Sequence, residues 1–418
     1  MNLSQLAINQ TRLLEHLNAM ADIGMTPKGG SNRQALTDED KRGRQLFLDW
    51  SSQIGGKVRR DQMGNLFVRW PGQDNTCPAI LMSSHLDTQP TGGHYDGVYG
   101  VLAALEVMTT LREAGITTRH PLEIAVWTNE EGARFAPAMM GSGVFSGALD
   151  QASMHQSADK SGITVYDALM ETAQWGDIPC RPFPIAAALE LHIEQGPILE
   201  NQYRDIGIVT GVQGMNWFDV TLTGETTHAG PTPMTMRRDP VAALAPLLSS
   251  LYALAARHGE QSRLTIGDIK TLPGARNTVP AQVIFSVDLR HPEQSALETM
   301  TAEFQSICAE CHGAVAVSVT PVWHSPAVQF NPQCIDAITC ASQQLGYTAQ
   351  PIVSGAGHDS VYLSRVAPVG MIFIPCKDGI SHNELEYASP EQLTKGANVL
   401  LHAVLRLAAP DIHQKEVI

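Results

Sequence analysis

The chain has 418 residues, of which 43% are hydrophobic and 17% charged, and its formal net charge is −14. That length allows two or three domains of roughly 100–200 residues each. The acidic balance argues against a nucleic-acid partner, and no run of about 18 uninterrupted apolar residues predicts a membrane span. An odd number of cysteines, seven, and a start without a basic stretch and an apolar block predict a cytoplasmic protein.

Apolar runs alternate with helical patterns along the first half of the chain. The predicted elements are a helix that follows Thr37 and ends near Gly55, strands at Asn65–Trp70 and Ala79–Ser83, a helix at Val98–Glu113, and strands at Leu122–Thr128 and Ile185–Leu191. Continuous apolar strands that alternate with helices predict an α/β fold with a mainly parallel sheet covered by helices.

The pattern changes at Gly211 to the order β-α-β-β-α-β, which is that of a ferredoxin-like unit. Its predicted elements are Trp217–Thr223, Asp239–His258, Leu264–Leu272, Ala281–Arg290, Ala296–Cys311 and Ala314–Thr320. After Pro326 the α/β pattern returns with Asn331–Leu345, Val369–Ile374 and Pro390–Leu407. We therefore predict a catalytic domain of residues 1–210 and 327–418, interrupted by a small α+β domain of residues 211–326.

Side chains that commonly bind metals follow four of the apolar strands of the predicted α/β domain. They are His85 and Asp87 with Asp96 soon after, Glu130 and Glu131, His192, and His382. Because ligands bind at the carboxyl ends of the strands in open α/β sheets, we expect these side chains to converge.

The mixture of ligand types indicates the kind of metal site. Imidazole and carboxylate without thiolate suit zinc, manganese, cobalt or nickel. Three histidines and two carboxylates exceed the three protein ligands typical of one catalytic zinc, and they suit two ions about 3.5–4 Å apart that share a carboxylate. Asp87 is placed to hydrogen-bond the far nitrogen of a ligand histidine. Of Glu130 and Glu131, one can bind metal while the other takes a proton from water.

Seven motifs resemble those of the N-carbamoyl-L-amino-acid hydrolases. They are HLDTQPTGGHYDG, NEEGARF, HIEQGP, THAGPTP, RNTVP, GAGHDS and SHNE, and the resemblance runs from about His85 to Tyr387. Allantoate amidohydrolase and the dinuclear β-ureidopropionase are close relatives of these enzymes, in the aminoacylase/carboxypeptidase clan of dinuclear metallohydrolases. The resemblance implies two divalent metal ions, a homodimer, and a small-molecule substrate that carries a carboxylate and a ureido group.

The resemblance also implies roles for residues of the metal centre. Asp96 would bridge the two ions, and the remaining ligands would be His85, His192, Glu131 and His382. Which pair shares an ion stays open. Glu130 resembles the general base and Asp87 the orienting carboxylate.

Further residues resemble substrate-binding positions. The inserted domain would be a lid and dimerisation module, in which His228 stabilises the oxyanion and Asn277 and Arg290 hold the substrate carboxylate. A planar arginine fork suits a carboxylate, and a surface ion pair is the alternative for Arg290. Gln195 resembles a residue that contacts the ureido group. Gly357, in GAGHDS, permits close approach of the backbone to a ligand.

The predicted reaction is hydrolysis of an N-carbamoyl-L-amino acid to the amino acid, ammonia and carbon dioxide. Allantoate amidohydrolase is the nearest alternative, because it attacks the same kind of group. A dipeptidase or aminoacylase of the same clan is a second alternative. A protein that only holds metal is a third, and the free carboxylate expected at Glu130 argues against it because a binder needs no base.

Overall fold

The structure, a computed structural model, describes residues 3–310 and 315–408 as two compact units. The strands are β1 (Lys57–Arg60), β2 (Leu66–Trp70), β3 (Ala79–His85), β4 (Leu122–Trp127), β5 (Ile185–Ile193), β6 (Ile206–Val212), β7 (Gly214–Thr223), β8 (Thr227–His228), β9 (Arg263–Thr265), β10 (Ile269–Leu272), β11 (Thr278–Val279), β12 (Gln282–His291), β13 (Ala316–Ser325), β14 (Val328–Gln329), β15 (Ala349–Ser354) and β16 (Val369–Ile374). The helices are α1 (Gln10–Ala21), α2 (Asp38–Gln53), α3 (Val98–Glu113), α4 (Met140–Phe145), α5 (Gln151–His155), α6 (Val165–Glu171), α7 (Ile198–Asn201), α8 (Pro240–Arg257), α9 (Gln294–Ala309), α10 (Pro332–Gln344), α11 (Asp359–Leu363) and α12 (Pro390–Ala408).

The boundaries between the units fall after Thr210 and after Gln329. The sequence places them after residues 210 and 326. The larger unit thus comprises the two outer parts of the chain, and the smaller unit is the segment Gly211–Gln329.

The larger unit is built on a mixed sheet with the strand order β1-β2-β4-β3-β5-β16-β6. Its central strands, β4, β3, β5 and β16, run parallel to one another. The flanking strands β1, β2 and β6 run antiparallel to their neighbours. The prediction of a mainly parallel α/β sheet is confirmed for the strands that lead into the predicted metal ligands.

Helices cover the sheet of the larger unit because its strands are apolar on both faces. Ile80 and Met82 of β3 belong to a core built with α1, α3, α10 and α12. Phe67 and Trp127 point to an aromatic cluster with Phe145 of α4. Successive strand residues point to opposite faces, so both faces are packed.

Capping residues stand at the starts of two predicted helices, close to the positions expected from the sequence. The Thr37 side chain accepts a hydrogen bond from the N–H of Asp40 at the start of α2. Asp239 accepts from Val241 and Ala242 at the start of α8, where Pro240 is the first helical residue. These bonds satisfy N–H groups that a helix start otherwise leaves without partners.

The smaller unit contains a five-stranded antiparallel sheet with the order β10-β12-β7-β13, in which β9 also pairs with β12. Helices α8 and α9 pack on it through leucines and Phe304. This is the predicted ferredoxin-like order. The predicted strand at Leu264–Leu272 is wrong as one element, because Asp268 turns to bond Ser286 and separates β9 from β10. The predicted ends at Cys311 and Ala314 lie outside the described residues.

Helix α8 is long and apolar enough, by length and composition, to cross a membrane, which the sequence analysis did not predict. Its Leu244, Leu247, Leu251 and Leu254 lie at helical spacing in the core of the smaller unit. The apolar content of α8 is therefore in part the packing face of a helix on a sheet.

Candidate active site

The predicted metal ligands of the larger unit lie beyond the carboxyl ends of its parallel strands. His85 is the last residue of β3, and His192 is the last but one of β5. Glu130 and Glu131 follow β4 by three and four residues, and His382 follows β16 by eight. Parallel strands end at the same edge of a sheet, so residues far apart in sequence meet there.

Three of these residues form one candidate ligand group, which we call the inner group: His85, Asp96 and His192. The Nε2 atom of His192 lies 3.1 Å from Asp96 Oδ1, and that of His85 lies 3.6 Å from the same oxygen. All three side chains are buried. Two imidazole nitrogens and one carboxylate oxygen thus point at one another.

Main-chain carbonyls orient both imidazoles of the inner group. The Nδ1 atom of His85 is 2.9 Å from the carbonyl oxygen of Asp87, and that of His192 is 2.9 Å from the carbonyl oxygen of Ile193. A carbonyl can only accept, so Nδ1 carries the proton in each ring. The Nε2 lone pair is thereby directed towards Asp96, as a metal ligand requires.

Gly97 is needed where the chain passes the inner group. It has a φ of +65°, and a Cβ atom built on it would lie 2.2 Å from Nε2 of His85. Its own N–H donates to Nε2 of His192 over 3.0 Å. No side chain fits between this backbone and the two rings, so the close approach depends on glycine.

A second candidate ligand group, the outer group, consists of Asp96, Glu131 and His382. The Nε2 atom of His382 lies 3.4 Å from Asp96 Oδ2 and 3.2 Å from Glu131 Oε2. Gln89 holds the Glu131 carboxylate through its side-chain amide at 2.8 Å and its N–H at 3.2 Å. The two groups share Asp96, which directs one oxygen to each.

Electrostatics at both groups fits a site for cations. Burial opposes it, but His192 and His85 hold the pKa of the Asp96 carboxyl well below its usual range. The hydrogen bond to Glu131 raises the pKa of His382 to about 9. In the metal-free protein His382 thus gains positive charge beside two carboxylates. A divalent ion would supply that positive charge instead once the ring has lost its proton. Oxygen and imidazole donors without thiolate suit zinc, manganese, cobalt or nickel.

Glu130 lies beside the inner group without belonging to either group. Its Oε2 atom is 3.5 Å from Nε2 of His85. Burial raises the pKa of the Glu130 carboxyl well above its usual range, and Asp359, Glu131 and Asp87 add to this against the opposing charge of His85. A buried carboxylate with a raised pKa is suited to accept and return a proton near neutral pH.

Asp87 does not act on His85 in the way the sequence predicts. The carbonyl oxygen of Asp87 takes the His85 hydrogen bond, whereas Oδ1 of its carboxylate is 3.9 Å from the ring nitrogen. The carboxylate instead accepts the N–H groups of Glu130 and Glu131 over 3.3 and 3.2 Å. The predicted contact is wrong because the turn after β3 brings the main chain, rather than the side chain, to the ring.

Gln195 contacts the shared carboxylate directly. Its Nε2 atom donates to Asp96 Oδ2 over 2.7 Å. Its Oε1 atom is buried and has no hydrogen-bond partner among the described residues. Gln195 also has a φ of +57°, so a strained backbone holds this amide at the site.

Gly357 and His358 lie in the loop before α11. His358 packs against His192, with ring centroids 4.7 Å apart, and Ser354 Oγ is 3.0 Å from its Nε2. Burial holds the pKa of His358 well below its usual range, so this ring is neutral. A Cβ atom on Gly357 would lie 3.1 Å from Met139 Cε, which is a tight contact.

The remaining predicted residues belong to the smaller unit. His228 in β8 pairs with Thr278 in β11, and the carbonyl of Asn277 accepts the N–H of Ala229, so His228 and Asn277 are near neighbours. Both are exposed. Arg290 in β12 forms an ion pair with Asp288 at 2.8 Å, which is the alternative the sequence analysis left open for it.

Glu386 and Ser381 also belong to the site, although no sequence pattern predicted them. Glu386 is buried and accepts the N–H groups of Tyr95 and Asp96, while Ser381 bonds both Glu386 and Asp96. Burial and the charge of Asp96 raise the pKa of Glu386 to about 7. Their only sequence signal is that they flank His382, one residue before it and four after it.

Comparison with known proteins identifies the family. Residues 81–406 match Peptidase family M20/M25/M40. An N-carbamoyl-L-amino-acid amidohydrolase of Rhizobium meliloti is 42% identical over 405 residues, which cover 96% of this chain and 97% of the relative. An allantoate amidohydrolase of Bacillus subtilis is 34% identical over 402 residues, with 95% and 97% covered.

Structural comparison agrees with this result. The crystal structure of a hydantoinase/carbamoylase family amidase from Burkholderia ambifaria has a TM-score of 0.91 and 46% sequence identity, and the match covers 97% of this chain and 98% of the other. The chain therefore belongs to Peptidase family M20/M25/M40, and it is a hydrolase of the hydantoinase/carbamoylase amidase type.

Proposed function

We propose that this hydrolase removes the carbamoyl group from N-carbamoyl-L-amino acids and yields the amino acid, ammonia and carbon dioxide. The relative of 42% identity, which spans almost the whole chain, carries this activity in its name. The observation that carries the proposal is the position of Glu130: a buried carboxylate 3.5 Å from His85, next to two ligand groups and part of neither.

Two divalent ions are proposed, one at each ligand group. The inner ion would be held by His85, His192 and Asp96, and the outer ion by Asp96, Glu131 and His382. Zinc is the first choice, with manganese, cobalt or nickel as alternatives, because the donors are imidazole and carboxylate. When bound, such ions supply Lewis acidity and make water more acidic.

The proposed steps of the reaction use the residues around these groups. Glu130 takes the proton of the attacking water and returns it to the leaving nitrogen, for which its buried carboxylate is suited. Asp87 fixes the main chain of Glu130 and so the direction of that carboxylate. Gln195 contacts the ureido group, because a ureido N–H would satisfy its Oε1 atom, which lacks a partner among the described residues.

Further substrate contacts are proposed from the resemblance. Gly357 lets the substrate approach the main chain of its loop. In the smaller unit, a lid and dimerisation module, His228 stabilises the oxyanion, and Asn277 and Arg290 hold the substrate carboxylate. His228 and Asn277 are exposed, so a substrate can reach them. The planar guanidinium of Arg290 suits a carboxylate, and the substrate carboxylate would replace that of Asp288 as its partner.

A cytoplasmic homodimer is proposed as the state of the enzyme. The resemblance supports the dimer, and the odd number of cysteines supports a reducing compartment. Light scattering of the purified protein tests the dimer, and a mass of one chain, 45.2 kDa, would contradict it.

Ammonia release tests the proposed reaction. The metal-loaded enzyme is assayed with N-carbamoyl-L-amino acids, their D forms, allantoate, and dipeptides. We expect release from the L-carbamoyl compounds, and a decrease of about 10²–10⁴-fold in kcat for Glu130→Gln with metal content unchanged. Preference for allantoate would establish the alternative that the relative of 34% identity represents. Cleavage of dipeptides without ammonia release from any ureido compound would overturn the proposal.

A further inference from the structure

The orientation of one carboxylate decides whether two ligand groups can exist. Asp96 Oδ1 faces His192 at 3.1 Å, and Oδ2 faces His382 at 3.4 Å. A rotation about the Asp96 side chain would withdraw an oxygen from one group. The residues that hold Asp96 in this rotamer therefore decide whether each ligand group receives one of its carboxylate oxygens.

Glu386 holds the main chain that carries Asp96. Its Oε1 atom accepts the N–H of Tyr95 over 2.8 Å and that of Asp96 over 3.2 Å. The carboxylate is buried, and a Cβ atom on Gly93 would lie 2.2 Å from it. The loop before α3 is thus packed closely around Glu386, which leaves this side chain little freedom to move.

Ser381 links Glu386 to the Asp96 side chain. Its hydroxyl oxygen lies 2.8 Å from Asp96 Oδ2 and 3.0 Å from Glu386 Oε2. Ser381 directly precedes His382, whose φ of +53° shows that the loop is held in an unusual conformation. One hydroxyl therefore joins the outer oxygen of Asp96 to the segment that carries the outer histidine.

We propose that Glu386 and Ser381 are positioning residues for the outer ligand group and set the occupancy of the outer metal position separately from that of the inner one. The inference rests on the proposed function, since it presupposes two ions. The inner group needs no such link, because His85 and His192 are buried and oriented by carbonyls next to them in sequence.

Two substitutions of Glu386 separate geometry from charge. Glutamine retains a carbonyl oxygen for the N–H groups of Tyr95 and Asp96, and its amide can donate to Ser381, which then donates to Asp96. Alanine removes these contacts. Loss of a partner that orients a metal ligand typically weakens metal binding about 10–100-fold. We expect that loss at the outer position in Glu386→Ala and less than about threefold in Glu386→Gln.

Metal stoichiometry of the full chain tests this inference. Wild type, Glu386→Ala, Glu386→Gln and Ser381→Ala are dialysed against graded free zinc, and bound metal is measured by elemental analysis. Glu384→Ala is the matched control, because Glu384 lies in the same loop but bonds Thr26. Circular dichroism and the Tm of each metal-free variant report folding.

The expected result is that wild type, Glu386→Gln and Glu384→Ala bind two equivalents. Glu386→Ala should retain one equivalent at free zinc concentrations that saturate the wild type with two, and Ser381→Ala should need several-fold more zinc for the second. If Glu386→Ala fails to fold, Ser381→Ala decides alone. Two equivalents with unchanged affinity in the folded variants would overturn the inference, as would equal loss of both ions. One equivalent in wild type would instead overturn the two-ion part of the proposed function.

Discussion

The inner and outer ligand groups share Asp96, but their other members are held differently. His85 and His192 are each 1% exposed and donate to main-chain carbonyls within two residues of themselves. The side chain of His382 is 50% exposed, and it depends on a loop that is tied to the rest of the site by Ser381 and Glu386. One half of the site is therefore preorganised and the other is assembled from loops, so we expect unequal metal affinity at the two positions.

Removal of one histidine from each group gives the sharpest contrast. His192→Ala should weaken binding of the inner ion, and His382→Ala should weaken binding of the outer ion only. Each loss of affinity should exceed the roughly 100-fold that follows removal of a residue that orients a metal ligand. Because the protonated His382 ring pairs with Asp96 and Glu131, its substitution should also destabilise the metal-free protein at neutral pH. Elemental analysis and Tm measure both effects. Loss of both ions in His382→Ala would contradict the asymmetry.

Gly97→Ala should disturb the inner group alone. The new methyl group would meet Nε2 of His85, and Gly115→Ala is a matched control because Gly115 has φ +66° and no atom within 4 Å of the new Cβ. Both variants place a side chain on a residue of positive φ, where the backbone of an L residue is strained. Only Gly97→Ala should weaken binding of the more tightly held metal ion, because its methyl group would displace the His85 ring. We expect a loss of affinity of about 100-fold, as for removal of a residue that orients a metal ligand. Equal metal binding in the two variants would refute the steric account.

The pH dependence of metal binding should show the outer histidine. The hydrogen bond that His382 donates to Glu131 raises the pKa of His382 from 6.5 to about 9, and a protonated imidazole cannot bind metal. Affinity for the outer ion should therefore rise with pH up to about 9, by at most about tenfold per unit for this one proton. In the metal-free protein the raised pKa favours folding below pH 6.5, and this contribution is lost as pH rises through about 9. Calorimetry in two buffers of different ionisation enthalpy measures the released proton, and an affinity for the second equivalent that does not change with pH would contradict this account.

The smallest effect is expected at Asp87. Its carboxylate accepts two long hydrogen bonds, from Glu130 and Glu131, and Asn retains one acceptor. Loss of one such bond typically costs about 0.5–1.5 kcal/mol, so kcat should fall roughly 2–10-fold with both ions retained. Steady-state kinetics beside metal analysis checks this, and a loss of metal in Asp87→Asn would assign the side chain to ligand orientation after all.

Much of the fold was accessible from the sequence because long apolar runs and capping residues carry a strong local signal. Strands such as Leu122–Trp127 and helices such as Val98–Glu113 follow from it. The short helices α4 to α7, of four to seven residues, were missed because one or two helical turns are too short to show a clear period. Strand β1, whose sequence is KVRR, was missed because it is polar.

The membership of the candidate site was more predictable than its internal arrangement. Five residues of metal-ligand type after the strand ends indicated the site. Which Asp96 oxygen faces which ligand group depends on the conformation of the surrounding loops, for which the sequence has no recognisable pattern. Glu384 and Glu386 are two residues apart and alike in sequence, yet only Glu386 bonds the Asp96 loop. Burial decides between them, and burial arises from tertiary packing.

Anomalous X-ray diffraction from crystals with graded zinc would locate each ion relative to Asp96. We expect two anomalous peaks on either side of the Asp96 carboxylate, one at His85 and His192 and the other at Glu131 and His382. The second peak should weaken first as chelator is added. A single peak, or two that fade together, would contradict a shared carboxylate between an inner and an outer metal position of unequal affinity.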